Sequence, residues 1–97
     1  MVQIMVKLVK NKKIVISNKL GLHARAAAKF VRIAAGFQSE IMINSGNNKV
    51  SGKSIMGIMM LAAGKGTEIN LVAVGPDEDE AMTALENLII NKFGEAE

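Results

Sequence analysis

Residues 18–31, NKLGLHARAAAKFV, decide the fold. Gly21 interrupts a segment rich in β-branched residues, and an alanine-rich segment follows from Ala24 to Ala35. Its apolar residues recur at helical spacing, which predicts an amphipathic helix that stops at Gly36. The chain therefore passes from a strand into a helix at His23. The apolar stripe comprises Ala27, Phe30, Val31 and Ala34.

The flanking segments predict four strands and two further helices. Short runs of β-branched and alternating apolar residues indicate the strands. Ser54 is predicted to be the N-cap of a short helix over 55–63. Asp77 is predicted to cap a last helix, with Glu80 at the spacing of a capping box. The strands are predicted at residues 13–18, 39–44, 49–51 and 67–74.

The resulting order is βαββαβα, and its first six elements match the split-βαβ pattern. Short turns favour a mainly antiparallel sheet with helices on one face, which is an α+β fold. We expect a single domain over residues 13–97, because 97 residues suffice for one small core. Residues 1–12 are expected to form an N-terminal extension. They either lengthen the first strand, add an edge strand or form a loose tail.

Composition narrows the classes of function. The chain has no cysteine and a single histidine, so we expect neither a disulfide nor a metal site, and no cofactor. No apolar run approaches the roughly 18–20 residues that cross a membrane. The N-terminus lacks the pattern of a secretory signal, so a cytoplasmic protein without membrane insertion is expected.

The net charge of +3 is unevenly distributed, with basic residues early and acidic residues late. This pattern indicates either a solvated surface or a basic face that steers an acidic partner. Nucleic acid is not an expected partner, because no aromatic residue is interleaved with the basic ones.

His23 is the candidate reactive group, since histidine alone titrates near neutral pH, with an ordinary pKa of roughly 6.5. At a helix N-terminus the ring meets unpaired backbone N–H groups and a field that favours its neutral form. Arg25 adds a cationic fork suited to phosphate oxygens. These features fit an imidazole that accepts a phosphoryl group. On spacing alone, a surface or capping histidine without chemistry is the simpler interpretation.

Ser54 follows Gly52 and Lys53, as in the end of a nucleotide-binding loop. That loop needs a glycine where this chain has Asn47, so no nucleotide site is expected. In the helix after Ser54, Ile55, Ile58 and Met59 have the spacing of a core stripe. Met56 and Met60 are predicted to form an exposed patch that adapts to partners.

The segment over residues 18–31 closely resembles the active-site segment of the HPr family, the histidine phosphocarriers of the bacterial phosphotransferase system. Residues 52–61, GKSIMGIMML, resemble the family's regulatory segment, and the resemblance spans residues 13 to 94. It implies an open-faced β-sandwich with four antiparallel strands and three helices. It also implies that Enzyme I phosphorylates His23 on Nδ1 and that His23 passes the group to an Enzyme IIA-type acceptor. Arg25 and the backbone N–H of Ala24 would hold the phosphate.

The resemblance has further implications. Ser54 matches the serine that HPr kinase/phosphorylase modifies, and the helix after it matches the partner-docking helix. We expect a monomer. One departure is Ala26, where the family usually has proline; we expect a rate effect at most. The expected partner-binding residues are Ile55, Met56, Met59, Met60 and Ala28.

Two other functions compete with a phosphocarrier. A purely regulatory HPr-like paralogue would signal through the serine or a nitrogen-related branch, although the presence of His23 and Arg25 argues against action through serine alone. An RNA-binding or other interaction module would need exposed aromatic residues on its strands, and no predicted strand has one.

Overall fold

The computed structural model describes residues 10–97. It contains four strands, three α-helices and a final 3₁₀ turn over Lys92–Gly94. The element order βαββαβα confirms the prediction. The strands are β1 (Lys10–Val15), β2 (Glu40–Ser45), β3 (Asn48–Ser51) and β4 (Glu68–Val74). The helices are α1 (Ala24–Ala34), α2 (Ile55–Met60) and α3 (Glu78–Ile90).

The four strands form one antiparallel sheet in the order β1-β4-β2-β3. Residues alternate between its two faces, as the sequence of β4 predicts. Ile69, Leu71 and Ala73 point into the core, while Asn70 and Val72 lie on the other face. Helices cover only the apolar face, so the molecule is the open-faced α+β sandwich that the sequence predicts.

The core lies between this face and the helices. Phe30 of α1 and Leu85 and Ile89 of α3 are fully buried against it. Phe93, just beyond α3, is 1% exposed, so this residue of the C-terminal segment is part of the core. Full burial of a large apolar side chain contributes about 1.5–3 kcal/mol. The end of the chain is therefore anchored, which matters for the site.

The first strand differs from its prediction. It begins at Lys10 and ends at Val15, and all six residues pair with β4. Residues 10–12 therefore belong to the sheet. Each of these three residues pairs with a residue of β4. The sequence does not reveal this part of the strand, because lysines are not typical strand residues. Residues 1–9, on which the other interpretations of the extension fall, lie outside the described residues.

The predicted capping box at the start of α3 is wrong. Asp77 occupies the N-cap position, but its side chain makes no capping hydrogen bond. Its carboxylate instead accepts hydrogen bonds from the backbone N–H groups of Gln38 and Ser39 and from Ser39 Oγ. Glu78, not Glu80, bonds back to the turn, accepting from the N–H of Gly75 at 3.1 Å. The Asp77 carboxylate therefore accepts hydrogen bonds from the loop before β2 and not from the first N–H groups of α3.

The second helix is shorter than predicted. It ends at Met60 rather than at Ala63. The reason is Ala62, whose φ of 51° is left-handed and incompatible with a continuing helix. Within the described part of the chain, no helix has the length and apolar character needed to cross a membrane.

Candidate functional site

The loop before α1 is held by backbone contacts. Gly21 is buried and has a φ of 66°, which glycine adopts without strain. The next residue, Leu22, donates its N–H to the carbonyl of Ala63 at 2.9 Å. This bond ties the loop to the segment that follows α2, and it brings His23 beside that helix.

His23 is the N-cap residue of α1, with extended backbone angles. Its carbonyl accepts the first helical hydrogen bond, from the N–H of Ala27 at 2.8 Å, while its side chain makes no capping bond. The N–H groups of Ala24, Arg25 and Ala26 precede that first bond, so they are the orphan donors of the helix. The ring therefore stands at an end of α1 that favours an anion.

The imidazole of His23 has one partner in the described chain, Glu95. Nε2 lies 2.6 Å from Oε2 of this carboxylate, across 72 residues of sequence. Both side chains are largely covered, with 24% of His23 and 13% of Glu95 exposed. The other carboxylate oxygen accepts a hydrogen bond from Nδ2 of the fully buried Asn18 at 3.1 Å.

The pKa of Glu95 lies below its ordinary value. Burial alone would raise it, but the hydrogen bonds from His23 and Asn18 and the nearby charge of Lys29 outweigh burial. The carboxylate is therefore ionised at neutral pH, so it accepts hydrogen bonds from both neighbours. Sequence reasoning missed Glu95, because only a general acidic character marks the end of the chain.

The C-terminal segment is folded back onto the site. Lys92 and Phe93 both have left-handed φ angles, and the Phe93 carbonyl accepts a hydrogen bond from Lys29 Nζ at 2.6 Å. Two residues after Glu95, the carbonyl of Glu97 accepts from the N–H of Lys19 at 2.8 Å. These contacts on either side place the Glu95 carboxylate against the ring.

Arg25, two residues after His23, is exposed. Within residues 10–97 its guanidinium makes no hydrogen bond or ion pair, and it shares a shallow surface depression with Lys19 and Glu95. Ala26, at the position where the resemblance predicts proline, is fully buried. The helix nevertheless begins at Ala24, because alanine is a strong helix former.

Ser54 is the N-cap of α2, as predicted. Its Oγ accepts a hydrogen bond from the N–H of Gly57 at 3.0 Å. The side chain is half-buried, so its hydroxyl lies at the edge of the helix surface rather than in the core.

The side chains of α2 form an exposed apolar surface, which we call the α2 patch: Ile55, Met56, Met59 and Met60. Their exposed fractions are 41%, 73%, 42% and 78% in that order. The predicted core stripe is therefore wrong for Ile55 and Met59, and Ile58 alone of the three is buried. Because α2 has only six residues, it inserts a single side chain, that of Ile58, into the core.

The α2 patch continues to the histidine. Leu20, His23 and Met59 line one surface concavity with residues 62–64. Leu20 is 65% exposed, and no sequence pattern singles it out. Ala28, also expected to contact partners, is half-buried on α1. No group of three residues that could ligate a metal occurs within residues 10–97.

Fold and site together define a class: a small open-faced α+β domain that presents one histidine at a helix N-terminus beside an exposed apolar patch. The family model described as "PTS HPr component phosphorylation site" matches residues 10–91. The chain belongs to this family, the HPr phosphocarriers of the phosphotransferase system. Its curated relatives are named phosphocarrier proteins.

Individual relatives agree with this assignment. The chain is 57% identical over 82 residues to the phosphocarrier protein HPr of Neisseria meningitidis serogroup A, covering 84% of this chain and 92% of that one. A crystal structure of HPr from Thermoanaerobacter tengcongensis superposes with a TM-score of 0.87 at 51% identity, covering 91% and 99%. An HPr dimer from the same organism gives a TM-score of 0.72 at 46% identity, covering 98% and 100%.

Proposed function

We propose that this protein accepts a phosphoryl group on Nδ1 of His23 from phosphorylated Enzyme I, in the cytoplasm, and passes it to Enzyme IIA-type acceptors. The observation that carries the proposal is the placement of the ring. His23 stands at the N-terminus of α1 with Nε2 engaged by Glu95. Nδ1 makes no hydrogen bond within residues 10–97, so it is available to attack phosphorus.

The first turn of α1 supports a phosphate on the ring. The backbone N–H of Ala24 directly follows the histidine and is free of helical hydrogen bonding. Arg25 follows, and its guanidinium, which has no partner among the described residues, can bond the phosphate oxygens in bidentate fashion. Phosphoryl transfer depends mainly on positioning and on stabilising the charge of these oxygens, which both groups supply. Arg25 therefore acts as the phosphate stabiliser.

The α2 patch is the proposed docking surface for Enzyme I and the acceptors, with Leu20 beside it. Ala28 on α1 is proposed as an additional contact. It is apolar, exposed and continuous with the concavity that contains His23. Three of its features suit a carrier that binds several proteins in turn: small size, flexible methionines and closeness to the reacting atom. Weak binding to each partner allows rapid exchange.

Ser54 is the proposed site of regulatory phosphorylation by HPr kinase/phosphorylase. Its hydroxyl lies at the start of α2, one residue before the α2 patch. A phosphate there adds about −1.5 to −2 charge units at pH 7 and is favoured by the helix end. The negative charge beside the docking surface would weaken the binding of Enzyme I.

We propose that the carrier works as a monomer. β1 is an edge strand of the described sheet, and its lysines discourage pairing with a second sheet. A relative from Thermoanaerobacter tengcongensis has been crystallised as an HPr dimer, so the oligomeric state of this chain is to be measured. Light scattering at the concentration used for transfer assays should give the mass of one chain.

The relay is tested by following labelled phosphate from phosphoenolpyruvate. Enzyme I and an Enzyme IIA are incubated with and without this protein, and with the His23→Ala variant. Label is expected on Enzyme IIA only when the unmodified protein is present. Equal labelling with His23→Ala would contradict the proposal, because the group would then travel by another route.

A further inference from the structure

Glu95 and His23 form a contact that a simple phosphate acceptor does not need. The carboxylate lies 2.6 Å from Nε2, on the ring nitrogen opposite to the proposed acceptor atom. An ionised carboxylate only accepts hydrogen bonds, so this contact requires a proton on Nε2. In the neutral ring the lone pair then resides on Nδ1. The contact thus selects one of the two tautomers.

Asn18 fixes the carboxylate in turn. It is fully buried, and its Nδ2 group donates to the Gly21 carbonyl at 2.8 Å and to Glu95 Oε1 at 3.1 Å. One amide therefore joins the loop before His23 to the C-terminal segment. The chain of contacts Asn18–Glu95–His23 orients the ring from behind, as carboxylates commonly orient functional histidines.

We propose that Glu95 is a positioning residue for phosphoryl transfer: it holds the Nε2–H tautomer of His23 and thereby makes Nδ1 the acceptor atom, with Asn18 holding Glu95 in place. This inference rests on the proposed function of His23 as phosphoryl acceptor. It adds that the C-terminal segment, although remote in sequence, belongs to the transfer site.

The transfer step balances without an additional acid or base. The lone pair of Nδ1 forms the bond to phosphorus while the bond between phosphorus and the donor atom of Enzyme I breaks, and its electron pair stays with the donor. The Nε2 proton remains on the ring, which gains positive charge that the Glu95 carboxylate offsets. When the acceptor protein takes the phosphoryl group, the electron pair of the N–P bond returns to Nδ1 and the starting tautomer is restored.

The charges around the pair are compatible with this role. Lys29 lies near Glu95 and anchors the Phe93 carbonyl, so it favours the ionised carboxylate. The described face of α2 that adjoins His23 carries no ionisable side chain. Glu97 is the closest comparison: it lies in the same segment but pairs with Lys19 at 3.3 Å, and its side chain is 71% exposed.

The test compares Glu95→Gln with the matched variant Glu97→Gln. Glutamine keeps the shape of the side chain, but its amide can donate as well as accept, so it no longer selects a tautomer. ¹⁵N NMR of the unphosphorylated ring should show the Nε2–H tautomer in the unmodified protein and in Glu97→Gln. In Glu95→Gln it should show a mixture or the Nδ1–H form.

The rate of phosphorylation by Enzyme I should fall roughly ten- to a hundredfold in Glu95→Gln, as expected for losing one charge-assisted hydrogen bond. It should stay unchanged in Glu97→Gln. An unchanged tautomer or an unchanged rate in Glu95→Gln overturns the inference. If the unmodified protein accepts no phosphate at all, the proposed function itself fails, and the tautomer measurement still decides whether Glu95 controls the ring. Circular dichroism of each variant identifies loss of folding.

Discussion

Gly21 lies against the backbone of Ala63 so closely that a side chain cannot fit between them. A Cβ atom on Gly21 would clash with the Ala63 carbonyl oxygen. That oxygen already accepts the N–H of Leu22. The loop that carries His23 and the segment after α2 are therefore held together through their backbones. This contact keeps the ring beside the α2 patch.

Gly21→Ala is expected to destabilise the protein by about 2 kcal/mol or more. The φ of 66° alone costs an L-residue roughly 1–2 kcal/mol, and the clash with a backbone oxygen adds to this cost. Urea unfolding measures the loss. Gly46→Ala is the matched control, because Gly46 has a φ of 58° but an added Cβ meets nothing within 4 Å. Equal losses in the two variants would show that the contact with Ala63 is unimportant.

Asp77 should make stability depend on pH in the acid range. Its pKa is lowered, first by the hydrogen bond from Ser39 Oγ and then by the N–H of Gln38, which outweigh burial. Because the folded-state pKa lies below the unfolded value of about 3.9, the carboxylate stabilises the fold above that value. This stabilisation is lost as the pH falls through the folded-state pKa.

Asp77→Asn should therefore be less stable at pH 7 and show a flatter decline in the free energy of unfolding between about pH 5 and pH 2. Ser39→Ala removes one donor but keeps the carboxylate, so an intermediate slope is expected. Denaturant unfolding at a series of pH values checks both. A slope in Asp77→Asn as steep as in the unmodified protein would show that other groups cause the acid dependence.

Substitutions at Ser54 should separate its two roles. Ser54→Ala removes the hydrogen bond from the N–H of Gly57 and should cost about 1 kcal/mol of stability. Ser54→Asn and Ser54→Asp both keep a capping side chain, and only the second adds negative charge. Phosphorylation by Enzyme I should be slower in Ser54→Asp than in Ser54→Asn, by a higher KM. Identical kinetics in these two variants would contradict electrostatic control at this site.

Ala26→Pro tests the departure from the family pattern. The N–H of Ala26 precedes the first helical hydrogen bond, so proline removes no bond of α1. We expect a folded protein whose phosphorylation rate changes by less than about tenfold, since positioning by His23 and Arg25 is retained. Stopped-flow kinetics with Enzyme I measure the change. A loss of transfer in the folded variant would mean that the extra N–H is essential.

Local patterns predicted the elements of the fold because alternation and helical spacing are short-range properties. The faces of β4 and the N-cap role of Ser54 followed directly from them. The end of α2 was predicted wrongly because it depends on one left-handed residue, Ala62, which no local pattern marks. The exposure of Ile55 and Met59 depends on how α2 sits on the core.

The site was predictable only where it is contiguous in sequence. His23, Ala24 and Arg25 are neighbours in the chain, so their chemistry could be combined before the fold was known. Glu95 contacts His23 although 72 residues separate them in the sequence. Asp77 accepts hydrogen bonds from Gln38 and Ser39 instead of capping α3 with its side chain. Both contacts are tertiary, and the residue types involved are common at any surface.

The phosphoryl group is proposed to reside on His23 itself. The most direct measurement is the intact mass of the protein after incubation with phosphoenolpyruvate and Enzyme I. We predict the addition of one phosphoryl group, lost on mild acid treatment, and no addition in His23→Ala. An unmodified mass in the presence of active Enzyme I, or the same addition in His23→Ala, would show that His23 does not carry the group.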